Sequence, residues 1–185
     1  MLSQVERVNA AWERIDKWYA EKAPGIELGA GASAADITAL ETYFGFPLPE
    51  ELKASLMRHN GVDNWTKGEL LSTGRIKNEW DWRSGLAEDE GYGERPGEDN
   101  EFIKNCWFDN SWIPIDADGG GNGACLDLNP GPKGTVGQIL DLDHESGPSG
   151  PLFSDFAAYL EKAAEELEGG KFRMNEKGGY LEETD

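Results

Sequence analysis

Residues 47–61 encode a short helix with both ends written out, and this run constrains the fold more than any other stretch of the chain. Pro47-Leu48-Pro49 opens it, because proline's fixed φ suits a first turn where its missing N–H would lack a partner anyway. Glu50 and Glu51 lie near the positive helix start and Arg58 near the negative end, as the macrodipole prefers. Leu52 and Leu56 form one apolar side, and Asn60-Gly61 supplies residues that tolerate the left-handed conformation closing a helix. A second run complements it. Trp112-Ile113-Pro114 leads through Asp118-Gly119-Gly120-Gly121-Asn122-Gly123 into Cys125-Leu126-Asp127-Leu128, a hairpin around a glycine-built turn.

Two helices precede this pair. Val5, Val8, Trp12, Ile15 and Tyr19 recur at helical spacing over residues 4–21, until Pro24-Gly25 breaks the pattern. After the small-residue connector Leu28-Gly29-Ala30-Gly31-Ala32, Ser33 reads as an N-cap with Asp36 three residues on. Ile37, Leu40 and Phe44 then share one face up to Gly45. Residues 69–73 read as a short strand, while the segment holding Trp80 and Trp82 fits helix or strand equally. Residues 112–115, 124–128 and 135–142 predict three sequential strands, with Asn129-Pro130-Gly131-Pro132-Lys133-Gly134 as the second turn, and so an antiparallel meander. Past the Gly/Pro-rich stretch 146–151, Ser154 reads as the cap of a last helix with Phe156, Leu160, Ala163 and Leu167 on one face. The expectation is one α+β domain over 1–168, a mostly antiparallel β-sheet packed against N-terminal helices and a C-terminal helix, with 169–185 as a flexible tail.

Charge narrows the partners. With 17 Lys+Arg against 36 Asp+Glu the net charge is −19, a field that repels nucleic acid and anionic membrane and speeds encounter with a basic protein. Solubility is the plainer explanation of the same excess. No apolar stretch approaches the ~20 residues of a membrane-spanning helix. The N-terminus lacks the basic and apolar regions of a signal peptide, and Cys106 and Cys125 have neither metal nor redox spacing. These features predict a cytoplasmic protein.

In this order, the Pro47-Leu48-Pro49 helix ending at Asn60-Gly61, Trp112-Ile113-Pro114, the glycine turn before Cys125-Leu126-Asp127-Leu128, the run Pro130-Gly131-Pro132-Lys133-Gly134-Thr135-Val136-Gly137 and the final Phe-containing helix resemble the SUKH superfamily. That group unites fungal cell-wall assembly regulators of the Smi/Knr type with bacterial immunity proteins. The resemblance covers residues 10–168. It departs at Val62-Asp63, where members commonly carry a second Gly, and at a long acidic insert, about 87–105. The resemblance implies helices on a mostly antiparallel sheet and a non-enzymatic, protein-binding role. Among bacterial members the implied role is immunity: neutralising a cognate polymorphic toxin, such as a nuclease or deaminase, whose basic domain would be the partner. The alternative it implies is a regulatory scaffold like the fungal proteins.

Candidate binding residues follow from the insert. Glu88, Asp89, Glu90, Glu94, Glu98, Asp99 and Glu101 stand there against the single base Arg95, and Trp80, Trp82 and Trp107 flank it as potential anchors. A solvated loop and core tryptophans are the competing readings. Asp116, Asp118, Asn122, Asp127 and Asn129 surround the glycine turn, but they lack the order and closing Glu of a Ca²⁺ loop, and turn chemistry explains them. Gly119-Gly120-Gly121 lacks the Lys-Ser/Thr of a phosphate loop. His59 is read at a helix end beside the terminal carbonyls and His144 at a polar strand end, with no local nucleophile signature. No catalytic residue, metal or cofactor is expected.

Overall fold

The computed structural model describes residues 2–88, 100–175, 177 and 179–184. Helix α1 (Gln4–Lys22) starts in a capping box in which Ser3 and Glu6 satisfy each other's backbone N–H groups. It buries Val8, Trp12, Ile15 and Tyr19, the stripe that the sequence marks, with Trp18 beside it. Helix α2 (Ala34–Phe44) repeats the device with Ser33 and Asp36 and ends at Gly45, whose φ of 77° only glycine adopts freely. Helix α3 (Glu50–Arg58) begins after Pro49, with Leu52 and Leu56 buried. Gly61 takes the left-handed conformation at φ 84°. Asn60 does not; its side chain accepts the Thr73 N–H at 2.8 Å and pins the next helix.

Strands β1 (Val62–Trp65) and β2 (Gly68–Leu70) form a hairpin, and helix α4 (Thr73–Glu88) follows at once. The predicted strand over 69–73 is therefore shorter, and the ambiguous Trp80–Trp82 segment is helical. Strands β3 (Trp112–Pro114) and β4 (Asp116–Ala117) flank Ile115, whose N–H pairs with Ala124 while its carbonyl accepts Leu71. That residue joins a three-stranded sheet, β1-β2-β4, to a four-stranded one. The larger sheet runs β3, β5 (Gly123–Asp127), β6 (Gln138–Asp143) and β7 (Gly147–Phe153), all antiparallel, which is the predicted meander plus one strand. The Gly/Pro-rich stretch read as a connector is β7 itself, made a strand by pairing with β6 (Asp141↔Ser149, Leu142↔Pro148) rather than by its own propensity.

The four-stranded sheet is covered on both faces. Ile113, Leu126 and Ile139 point into a core shared with α1 and with α5 (Phe156–Glu168). Their neighbours Trp112, Cys125 and Leu140 point the other way, into a second cluster with Ile103 and Phe108, against which Trp80 and Ala87 of α4 pack. Arg7 ties α1 to α5 through Asp155 and Glu161.

Asp155, not Ser154, caps α5, because its carboxylate reaches the Ala158 N–H at 2.7 Å while Ser154 hydrogen-bonds to Asp155. Burial pushes the Asp155 carboxyl up, but the Ala158 N–H and Arg7 outweigh it and hold the group below its usual range. A depressed folded-state pKa stabilises above the unfolded value and is lost as pH falls through the carboxylate range. Asp155→Ala is therefore expected to cost about 1–2 kcal/mol at neutral pH. The difference from the native chain should shrink in urea titrations below about pH 4; a pH-independent cost would refute the assignment.

Within residues 169–185, expected as a flexible tail, the structure describes a hairpin. Strands β8 (Phe172–Asn175) and β9 (Tyr180–Glu183) pair antiparallel. Phe172 is buried, and Met174 and Leu181 pack against the main core, which anchors the hairpin.

Candidate functional site

The structure separates the predicted binding residues into three groups. Asp89, Glu90, Glu94, Glu98 and Asp99 lie outside the described residues. Glu88 ends α4, exposed, and Glu101 is exposed and paired with Lys133 across the loops. The tryptophans diverge. Trp80 packs edge-on to Tyr43 and against Phe44, and its Nε1 donates to the Asn110 carbonyl at 3.1 Å, so it joins α4 to α2 and to the approach of β3. Trp82, 44% exposed, and half-buried Trp107 instead both line one cleft.

That cleft, about 220 Å³, lies on the sheet face away from α1 and α5. Leu86 joins Trp82 and Ala87 joins Arg83 along it, because a helix brings residues four apart onto one side. Buried Phe108 and Leu142 of the second cluster, Gly120, Gly121 and His144, and Pro148 of β7 also line it. Arg83 fixes the corner. Its guanidinium sits 5.3 Å from the Trp82 ring, pairs with Glu79 at 2.9 Å and donates to the Gly121 carbonyl at 3.1 Å. Its side chain is only 9% exposed, and its Nε is buried with no hydrogen-bond partner among the described residues.

The glycine turn is organised by one carboxylate. Asp118 Oδ1 accepts the N–H groups of Gly120 (2.6 Å) and Asn122 (3.0 Å), and Oδ2 accepts Asn122 Nδ2 (2.7 Å). Asn122 Oδ1 in turn accepts the His144 N–H at 3.1 Å. These bonds hold Asp118 below the usual carboxylate range against the upward push of burial. Gly121, at φ 102°, lies against the His144 ring, so a side chain there would be strained and crowded. The turn thus places backbone and His144 at the cleft.

Comparison with known proteins identifies the scaffold. The family model described as SMI1 / KNR4 family (SUKH-1) matches residues 31–162. The chain belongs to that family. Among its curated relatives are the glucan synthesis regulatory protein of Neurospora crassa, 25% identical over 94% of this chain and 41% of the relative, and the cell wall biosynthesis/cell cycle regulator smi1 of Schizosaccharomyces pombe, 28% identical over 94% and 39%. The cell wall assembly regulator SMI1 of Saccharomyces cerevisiae is 23% identical over 89% of this chain and 41% of its own length. The chain spans about two fifths of the relatives it matches. These relatives carry the regulator role, the second of the two that the SUKH resemblance implies. They give the toxin-immunity role no support. No described helix is long and apolar enough to cross a membrane.

Two groups of this SUKH-1 domain that could carry chemistry are committed to the fold. Cys125 is buried and its thiol is pushed well above the usual range by desolvation first and by Asp127 next, the opposite of an activated nucleophile. His59 does not serve the carbonyls of its own helix as expected. Its Nδ1 lies 2.7 Å from the Gly29 carbonyl and its Nε2 3.0 Å from Asp16, while the ring packs on Trp12. Among the described residues no group of three His, Cys, Asp or Glu is placed to hold a metal ion. Sequence reasoning named Trp82 and Trp107 but missed Leu86, Ala87, Phe108, Leu142 and Pro148 around them. The spacing of Trp82 and Leu86 was the one local signal available.

Proposed function

We propose that this chain is a non-enzymatic, protein-binding regulatory module of the kind that the fungal cell-wall regulators represent. The observation that carries the reading is the cleft lined by Trp82, Leu86, Trp107 and Phe108, a largely apolar site near the point where the acidic insert leaves α4. Aromatic anchors in a pocket with charge around it are how protein interfaces concentrate their affinity. The membership of the SMI1 / KNR4 family supports the same reading, and the relatives' names point to cell-wall synthesis and assembly as the process regulated. The excess of acid fits a basic partner surface.

In-cell cross-linking of the full chain in the organism that makes it, followed by mass spectrometry, tests this. A defined set of proteins should cross-link to the native chain, through residues beside the cleft. Trp82→Ala combined with Trp107→Ala should reduce that set at least tenfold while the circular dichroism spectrum stays native. A native chain that cross-links to no protein in growing cells would end the proposal.

A further inference from the structure

A second cleft inverts the sign of the surface around it. The chain has 36 acids against 17 bases, and other clefts follow that balance: Asp116, Asp118, Asp141 and Glu183 surround Lys67 in one, and Glu88 and Asp109 flank Lys104 in another. Where the last turns of α1 meet the end of α5 and strand β8, a cleft of about 460 Å³ is instead lined by Arg14, Lys17, Lys22 and Arg173 against Glu21 and Glu168. Two of the cations are committed. Arg14 grips Glu168 through Nε at 3.1 Å and Nη2 at 2.5 Å, tying α1 to α5, and Arg173 holds Glu182 across the hairpin at 2.7 Å. Two are open. Lys17, 75% exposed, reaches Glu21 only at 3.9 Å, and Lys22 has no hydrogen bond or ion pair among the described residues. The negative end of α1 accounts for Lys22 but not for Lys17 or Arg173. Between the cations the lining is apolar, with Trp18, Leu167 and Phe172 buried and Met174 half-buried. We propose that this cleft docks an acidic segment of a partner protein, an Asp/Glu-rich stretch whose carboxylates pair with Lys17, Lys22 and Arg173 and whose apolar residue lies over Trp18 and Met174. The cleft is on the α1 and α5 side of the four-stranded sheet, whereas the one lined by Trp82 is on the opposite face, so partners of opposite charge can be held together. This extends the protein-binding reading by a second surface and does not need the first to be occupied.

The net charge of −19 opposes an acidic partner at long range. At about 0.15 M salt the Debye length is about 8 Å, so distant carboxylates are screened and the cations lining the cleft decide. Each exposed Lys–carboxylate pair contributes little, and affinity therefore rests on several acting with the burial of one apolar side chain. Selectivity comes from the same lysines, because a basic segment would meet them as like charges.

The test uses the full chain at about 0.15 M salt and three synthetic peptides: Glu-Asp-Leu-Glu-Asp, the same with Gly at the centre, and Lys-Arg-Leu-Arg-Lys. In titrations followed by NMR, the first peptide should shift the backbone amides of residues 14–22 and 172–174. The Gly-centred peptide should bind there at least about threefold more weakly, and the basic peptide should leave those amides unmoved. Lys17→Glu with Lys22→Glu, both on the exposed side of α1, should weaken the first peptide at least about tenfold while the circular dichroism spectrum stays native. Lys133→Glu with Lys162→Glu makes the same change in net charge elsewhere and should leave binding within about twofold. Equal weakening by the two double variants would assign the effect to net charge and overturn the proposal. So would amide shifts that avoid residues 14–22 and 172–174, or equal binding of the basic peptide there. A concentration-dependent dimer of the native chain that Lys17→Glu with Lys22→Glu dissociates would also overturn it, because the cleft would then belong to a second copy. In cells, this double variant should lose part of the cross-linked set that Trp82→Ala with Trp107→Ala retains. A set left whole would overturn this surface and leave the protein-binding reading, while peptide binding by a chain without cellular partners would do the reverse.

Discussion

Tyr159→Phe is expected to destabilise the chain by about 2–5 kcal/mol, and by more at pH 8 than at pH 5. The Tyr159 hydroxyl accepts Trp65 Nε1 at 2.7 Å and donates to Asp116 Oδ2 at 2.7 Å, all three side chains being buried. Asp116 Oδ1 is satisfied by the Ala124 N–H at 2.6 Å. Removing the hydroxyl orphans an indole N–H and deprives a buried carboxylate of one of its donors. Burial pushes the Asp116 carboxyl above its ordinary range, while Tyr159 and the Ala124 N–H pull it back. The Tyr159 hydroxyl, itself pushed far up by desolvation and then by Asp116, remains a donor throughout the accessible pH range.

With its folded-state pKa raised, Asp116 binds its proton more tightly in the native chain than in the unfolded one, so its contribution falls as pH rises from about 4 through the folded value. Without Tyr159 that value rises further and the loss at alkaline pH deepens. Urea unfolding of both proteins at pH 5 and pH 8 measures this. An equal difference at the two pH values, or one under about 0.5 kcal/mol, would show that the hydroxyl does not hold the carboxylate.

How much of this was legible depended on how local the cause was. The ends of α1 and α2 and the start of α3 are set by Ser3, Ser33, Gly45 and Pro49, each acting within a few residues, and those helices are where the sequence places them; α3 itself closes at His59 in an extended conformation, and Gly61 turns the chain two residues later rather than capping the helix. α4 was ambiguous because its pattern is inverted. It buries Arg83 and Ser84 and exposes Trp82, since the guanidinium is held by Glu79 and Gly121 while the indole lines an open cleft. β7 was hidden because Gly147-Pro148-Ser149-Gly150-Pro151 has turn composition and becomes a strand only through β6. In β3 and β5 both faces of the sheet are buried, so apolar residues follow one another instead of alternating with polar ones.

The candidate site was legible in its parts but not as a place. Trp82 and Trp107 stood out as large side chains beside a charge run, yet the cleft they share depends on α4, the segment before β3, the glycine turn and β7, which only the fold assembles. The glycine turn also shapes the site, because the Asp118 carboxylate ties its backbone together and Gly121 lies against His144 where both line the cleft.

The helix punctuated by Pro47 and Gly61 depends on a second glycine well before it. The connector through Gly31 runs against the end of α3, where carbonyls lack helical partners. Ala32 donates to the Leu56 carbonyl at 2.8 Å, and Asn60 donates back to the Ala30 carbonyl at 3.0 Å. A Cβ on Gly31 would lie 1.7 Å from the Met57 carbonyl oxygen and 2.4 Å from its carbon, both backbone atoms that cannot turn aside. Gly31→Ala must therefore displace the connector or unwind the last turn of α3, and it is expected to cost about 3 kcal/mol or more. For a chain of this size that corresponds to a fall of about 6–12 °C in Tm. Gly29→Ala, two residues earlier, meets nothing within 4 Å and takes no positive φ, so it should stay within about 0.5 kcal/mol of the native chain. Thermal unfolding of the two variants side by side separates close backbone approach from general glycine flexibility. If Gly31→Ala unfolded with Gly29→Ala and the native chain, the connector would not be docked on α3, and the placement of the helix that identifies this family would need another explanation.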